Sequence, residues 1–88
     1  MYSYEQEKPK LFTERNQRMF LQIRDEAMRL IELAGAARMD RIICKVSGDS
    51  WMMFACLDRL VELGEIKEVT RDVAGQDRIF TAGTHERD

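Results

Sequence analysis

Three sets of residues in this chain carry chemistry beyond packing. The first is a pair of thiols, Cys44 and Cys56. A thiol becomes a nucleophile or a metal ligand as its thiolate, which requires a base, a cation or a metal beside it. A structural zinc site takes four ligands, usually Cys and His, and the single histidine, His85, stands near the end of the chain. No Ser/His/Asp or Cys/His pairing, phosphate-cradling glycine loop or metal-ligand spacing accompanies the thiols. The acids are spread without a sign of two sharing one proton. The expectation is therefore no enzyme, no metal and no cofactor, with both cysteines reduced and packed as small hydrophobes. The second set is basic and polar: Arg38, Arg41, Lys45, Ser50, Trp51, Arg59, Arg71, Gln76 and Arg78. Such residues hold phosphates or meet base edges in a DNA groove. The third is apolar, comprising Leu21, Met28, Trp51, Met52 and Phe54. Large apolar side chains, Trp and Met above all, anchor protein interfaces.

Composition narrows the choice. Apolar residues make up 44% of the 88 positions, too many for a disordered chain, and the length suits one domain. No run reaches the roughly 18 consecutive apolar residues of a membrane span. The opening "MYSYEQEKPK" lacks the apolar core of a signal peptide, so the expected location is cytoplasmic, without membrane contact. The net charge of −2 counts against a nucleic-acid protein, because counterion release by basic side chains supplies much of that affinity.

The elements that must position these residues follow from periodicity. Residues 1–12, with Pro9 and few apolar positions, read as a flexible arm tacked down near Leu11 and Phe12. Thr13 is a fitting N-cap. Behind it Met19, Phe20, Ile23, Ala27, Leu30, Ile31 and Ala34 fall on one stripe at about 100° per residue, so a long amphipathic helix runs to Gly35. Leu21 and Met28 lie off that stripe, either at the edge of the core or in a two-fold contact between copies. A second short helix is expected in "ARMDRIICKV" and a third from Ser50 to Leu63, stopped by Gly64. After Gly64 the period falls to two. "EIKEVTR" and "RIFTA", separated by the turn residues "DVAGQD", read as a hairpin with a turn of about six residues. Residues 83–88 read as a flexible tail.

Helix, short helix, tight turn, helix and hairpin is the order of a winged helix-turn-helix domain. Leu57, Leu60, Leu63, Gly64 and Ile66 in "LDRLVELGEI", followed by "IKEVTRDVAGQDRIF", resemble the junction of recognition helix and wing in that superfamily. The resemblance spans roughly residues 13–82. It implies an α+β fold of three helices followed by a two-stranded β-hairpin wing. It also implies double-stranded DNA as the commonest partner, although some members are protein-protein modules.

The third helix complicates that expectation. With Met53, Leu57 and Leu60 facing inward, its outer face carries Trp51, Ala55, Asp58 and Glu62, with Arg59 to one side. The positions expected to read bases are Ser50, Trp51, Ala55 and Arg59. Asp58 and Glu62 would repel phosphates. Phosphate clamps would come from Arg38, Arg41 and Lys45 of the second helix and from Arg71, Gln76 and Arg78 of the wing. Trp51 has three readings: a lid on the core, an anchor for a protein, or an apolar contact to DNA. Two functions stand side by side. One is a small DNA-binding regulator acting as a homodimer. The other is an interaction module using Trp51, Met52 and Phe54, or Leu21 and Met28, to hold a protein partner. The superfamily's habits favour the first.

Overall fold

The computed structural model describes residues 1–71, 73 and 75–83, with Gln76 described by its backbone alone. The fold is mixed α+β, with helices α1 (Tyr4–Glu7), α2 (Glu14–Ala34), α3 (Met39–Ile43) and α4 (Ser50–Glu62), and strands β1 (Ala37–Arg38), β2 (Ile66–Glu68) and β3 (Ile79–Ala82). Short 3-10 turns occupy Lys8–Phe12 and Gly75–Asp77.

α2 starts where its cap predicts. The Thr13 hydroxyl accepts from the Asn16 amide at 3.2 Å, satisfying one of the open donors of the first turn. It stops at Gly35, whose φ of +84° suits glycine, while the Gly35 N–H closes on the Ile31 carbonyl at 2.7 Å. α4 begins under Asp49, which accepts from the Trp51 amide at 3.4 Å. It ends at Gly64, φ +80°, with the Glu65 N–H returning to the Leu60 carbonyl at 3.0 Å. Both boundaries lie within a residue of the sequence expectation.

The three strands form an antiparallel sheet in the order β1-β3-β2. Ile66 lies opposite Ala82 and Glu68 opposite Phe80, while Ala37 pairs with Phe80 from the other side. The sequence reading misses β1, because it assigns Ala37 and Arg38 to the second helix. Two residues show no period of their own; only the partner strand makes them extended. The hairpin connection is also longer than expected, running from Val69 to Arg78, with the Val69 N–H closing on the Ile79 carbonyl at 2.9 Å.

One core joins helices to sheet. Ile23 and Ala27 of α2, Met39 and Ile42 of α3, Met53, Cys56, Leu57 and Leu60 of α4, and Ile66 and Phe80 of the sheet are all buried. The inward stripe of Met53, Leu57 and Leu60 is as the period requires. Among the described residues no helix is long and apolar enough to cross a membrane.

The largest departure lies at the amino end. Residues 1–12 are expected to form a flexible arm, yet the structure folds Tyr4–Phe12 into helix and 3-10 turn packed on α2 and α4. Leu11 is fully buried, whereas its neighbour Phe12 stays exposed. The Asn16 and Gln17 side chains of α2 donate to the carbonyls of Lys10 and Leu11, each at 2.8 Å. Polar residues that read as solvated here satisfy the arm's backbone instead. At the other end Gly83 donates to the Glu65 carbonyl at 3.1 Å; the rest of the expected tail, 84–88, lies outside the described residues.

Candidate functional site

The outer face of α4 is the place where the chemistry of this chain concentrates, and the amino-terminal segment covers it. The Tyr2 hydroxyl donates to Asp58 Oδ2 at 2.6 Å. The Tyr4 hydroxyl and Lys8 Nζ both donate to the Glu62 carboxylate, at 2.7 and 2.8 Å. The Tyr2 ring meets Phe54 edge-on, with centroids 5.5 Å apart, and Trp51 at 6.4 Å, arrangements favoured by the ring quadrupoles. The Arg59 guanidinium lies over the Phe12 ring at 5.6 Å and donates to Glu62 at 2.9 Å.

This cover changes the standing of several residues. Ala55, expected to face outward, is fully buried, because the segment crosses the face it shares with Trp51, Asp58 and Glu62. Met52, expected in an exposed protein-binding patch, is only 4% exposed and cannot serve there. Phe54 is half-buried under Tyr2. Trp51 keeps 41% exposure and Ser50 is exposed. Leu21 is exposed and Met28 half-buried on α2.

Arg78, expected as a phosphate clamp on the wing, is committed inside the fold. Its Nη2 donates to Asp58 Oδ1 at 2.7 Å and to Glu68 Oε1 at 2.9 Å, and its Nε to Glu68 Oε2 at 3.1 Å. Its side chain is 15% exposed. Burial alone would push the Glu68 carboxyl up, but the bonds from Arg78 and Thr70 outweigh it and hold the group below its ordinary value. Arg59 is half-buried and paired with Glu62. Arg38 is exposed, with its Nε on Asp40 at 2.8 Å. Arg41, Lys45 and Arg71 are exposed and enter no ion pair among the described residues. The Gln76 side chain lies outside the described residues.

The thiols stay apart in character. Cys56 is buried in the core, and burial pushes its thiol up to about 12. Cys44 is exposed and directs its sulfur at the Arg41 carbonyl, 3.3 Å away. Among the described residues no group of three His, Cys, Asp or Glu side chains gathers to hold a metal.

Sequence reasoning overlooks Tyr2, Tyr4 and Lys8 as partners of α4. The signal was present as two tyrosines in an otherwise polar segment, each with an apolar body and a hydroxyl that needs an acceptor when covered. The pairing spans more than fifty positions and has no local signature.

The latch responds to pH in a defined direction. Bonds from Lys8, Tyr4 and Arg59 pull the Glu62 carboxyl from 4.5 down to about 2. A depressed acid contributes stability above its unfolded value and loses it as pH falls through the folded one. The Tyr2 and Tyr4 hydroxyls are raised above 10.0 by burial and by their carboxylate acceptors. Their contribution is complete below that value and fades above it. Acidification from 4.5 toward 2 is thus expected to loosen the segment, read as a change in Trp51 fluorescence. Glu62→Gln should remove that step; identical acid profiles for parent and variant would refute the assignment.

No protein-family model, curated protein or solved structure significantly matches the chain.

Proposed function

We infer that this chain is a winged helix-turn-helix domain working as a protein-interaction module. Support for the architecture comes from the order of α2, β1, α3, α4 and the β2–β3 hairpin, with β3 between the other two strands. The observation that carries the interaction reading is the occupied outer face of α4. Base reading needs exposed donors and acceptors at that face. With the amino-terminal segment in place, Ser50 and Trp51 are the exposed positions near its start. With the segment displaced, the face would offer Trp51, Phe54 and Ala55 beside the carboxylates of Asp58 and Glu62. Phosphates repel the acids and gain little from the aromatic groups. A polypeptide satisfies both, as Tyr2, Tyr4 and Lys8 already do.

A second reading, a DNA-binding regulator acting as a homodimer, draws on the exposure of Arg41, Lys45 and Arg71. These three could meet phosphates without freeing α4. Titration of the labelled protein with random-sequence duplex DNA at low salt separates the two. The interaction reading expects the amides of Arg41, Lys45, Ser50, Arg59 and Arg71 to stay in place. Salt-sensitive shifts at these residues would overturn it, since phosphate contacts weaken steeply as counterions are added.

A further inference from the structure

A second surface, away from α4, has the chemistry of a peptide site. A cleft of about 470 Å³ opens where the carboxyl-terminal turns of α2 meet β1, α3 and β3. Its floor is apolar, made by Leu30, Ala34, Ala36 and Ile79, and its rim carries Arg38 and Arg41. No acid lines it. Asp40 and Asp77 act on Arg38 from outside, and the bond to Asp40 uses only the Nε edge of that guanidinium. Arg41 is exposed and enters no ion pair among the described residues. β1 is an edge strand, with β3 on one side and no strand beyond it among the described residues.

We propose that this cleft binds an acidic peptide segment of a partner protein, one apolar side chain filling the floor and flanking carboxylates taken by Arg38 and Arg41. The charge pattern selects the occupant. Two forked donors beside an apolar depression match a carboxylate next to an aliphatic or aromatic group. A DNA backbone would meet the arginines but leave the apolar floor unused, and a basic peptide would be repelled. The proposal rests on the interaction reading given above and supplies the partner's chemistry.

The test uses the full chain, isotope-labelled, titrated in parallel with three probes. These are a short peptide holding one leucine between aspartates, its lysine counterpart, and random duplex DNA. The expected result is saturable shifts at Leu30, Ala34, Ala36, Arg38, Arg41 and Ile79 with the aspartate peptide alone. Arg41→Glu should weaken that binding by about tenfold or more, the loss of one charge-assisted contact, while its thermal unfolding matches the parent because Arg41 is exposed and enters no ion pair among the described residues. Absence of shifts with the aspartate peptide, or equal shifts with the lysine peptide, overturns the cleft assignment. Aspartate-peptide shifts confined to α4 would overturn the cleft but keep the interaction reading. Shifts of the cleft by duplex DNA alone would overturn both.

Discussion

Replacing Leu11 by alanine is expected to destabilise the protein by about 2–5 kcal/mol, as for other fully buried leucines. In a domain of this size 1 kcal/mol corresponds to roughly 4–8 °C, so Tm should fall by about 10 °C or more. The reason is positional. The 3-10 turn that carries Leu11 packs on both α2 and α4, so the side chain belongs to the main core. Phe12 provides the control. It is 57% exposed and gains mainly from the Arg59 guanidinium above its ring, a contact worth about 0.5–1 kcal/mol at exposed sites. Phe12→Ala should therefore cost several-fold less than Leu11→Ala. A flexible arm would make both changes nearly silent. Thermal unfolding of the two variants beside the parent decides, and a Leu11→Ala shift no larger than that of Phe12→Ala would refute the packed segment.

Arg78→Met carries the second large effect. The substitution keeps an unbranched apolar side chain but strips the guanidinium from the Phe80 ring, 5.2 Å from its centroid, and from Asp58 and Glu68, two carboxylates that are themselves mostly covered. Breaking a fully buried pair by removing one partner costs about 3–5 kcal/mol; partial exposure here reduces the expectation to roughly 2–3 kcal/mol. Arg78→Lys should fall between, because one ammonium cannot reproduce the fork that reaches both acids. Neutralising the acids together with the arginine, as Asp58→Asn, Glu68→Gln and Arg78→Met, should recover much of the loss. Chemical denaturation measures all three. If Arg78→Met unfolds like the parent, the ion-pair network contributes nothing and Arg78 returns to the surface as a free cation.

Much of the architecture was legible because it obeys local rules. The cap at Thr13, the left-handed stops at Gly35 and Gly64, and the inward stripe of Met53, Leu57 and Leu60 each follow from a few neighbouring residues. β1 was not legible, since a two-residue strand owes its conformation to the partner it meets. The candidate site was read less well, for a related reason. Helix geometry correctly groups Trp51, Ala55, Asp58 and Glu62 on one face. It cannot reveal that Tyr2, Tyr4 and Lys8 return to cover that face, because their contacts join segments 54 to 58 positions apart. Arg78 misled for the same reason: its two acceptors lie on different elements, 10 and 20 positions away.

The latch also sets an order of assembly. Residues 1–12 leave the ribosome before α4, yet their docking platform does not exist until α4 has been made and has settled against α2. These residues must therefore wait, tethered through Thr13, and join after the later helices have packed. In that interval the flank of α4 that carries Trp51 and Phe54 is uncovered, and closing over it is the last step left to residues 1–12.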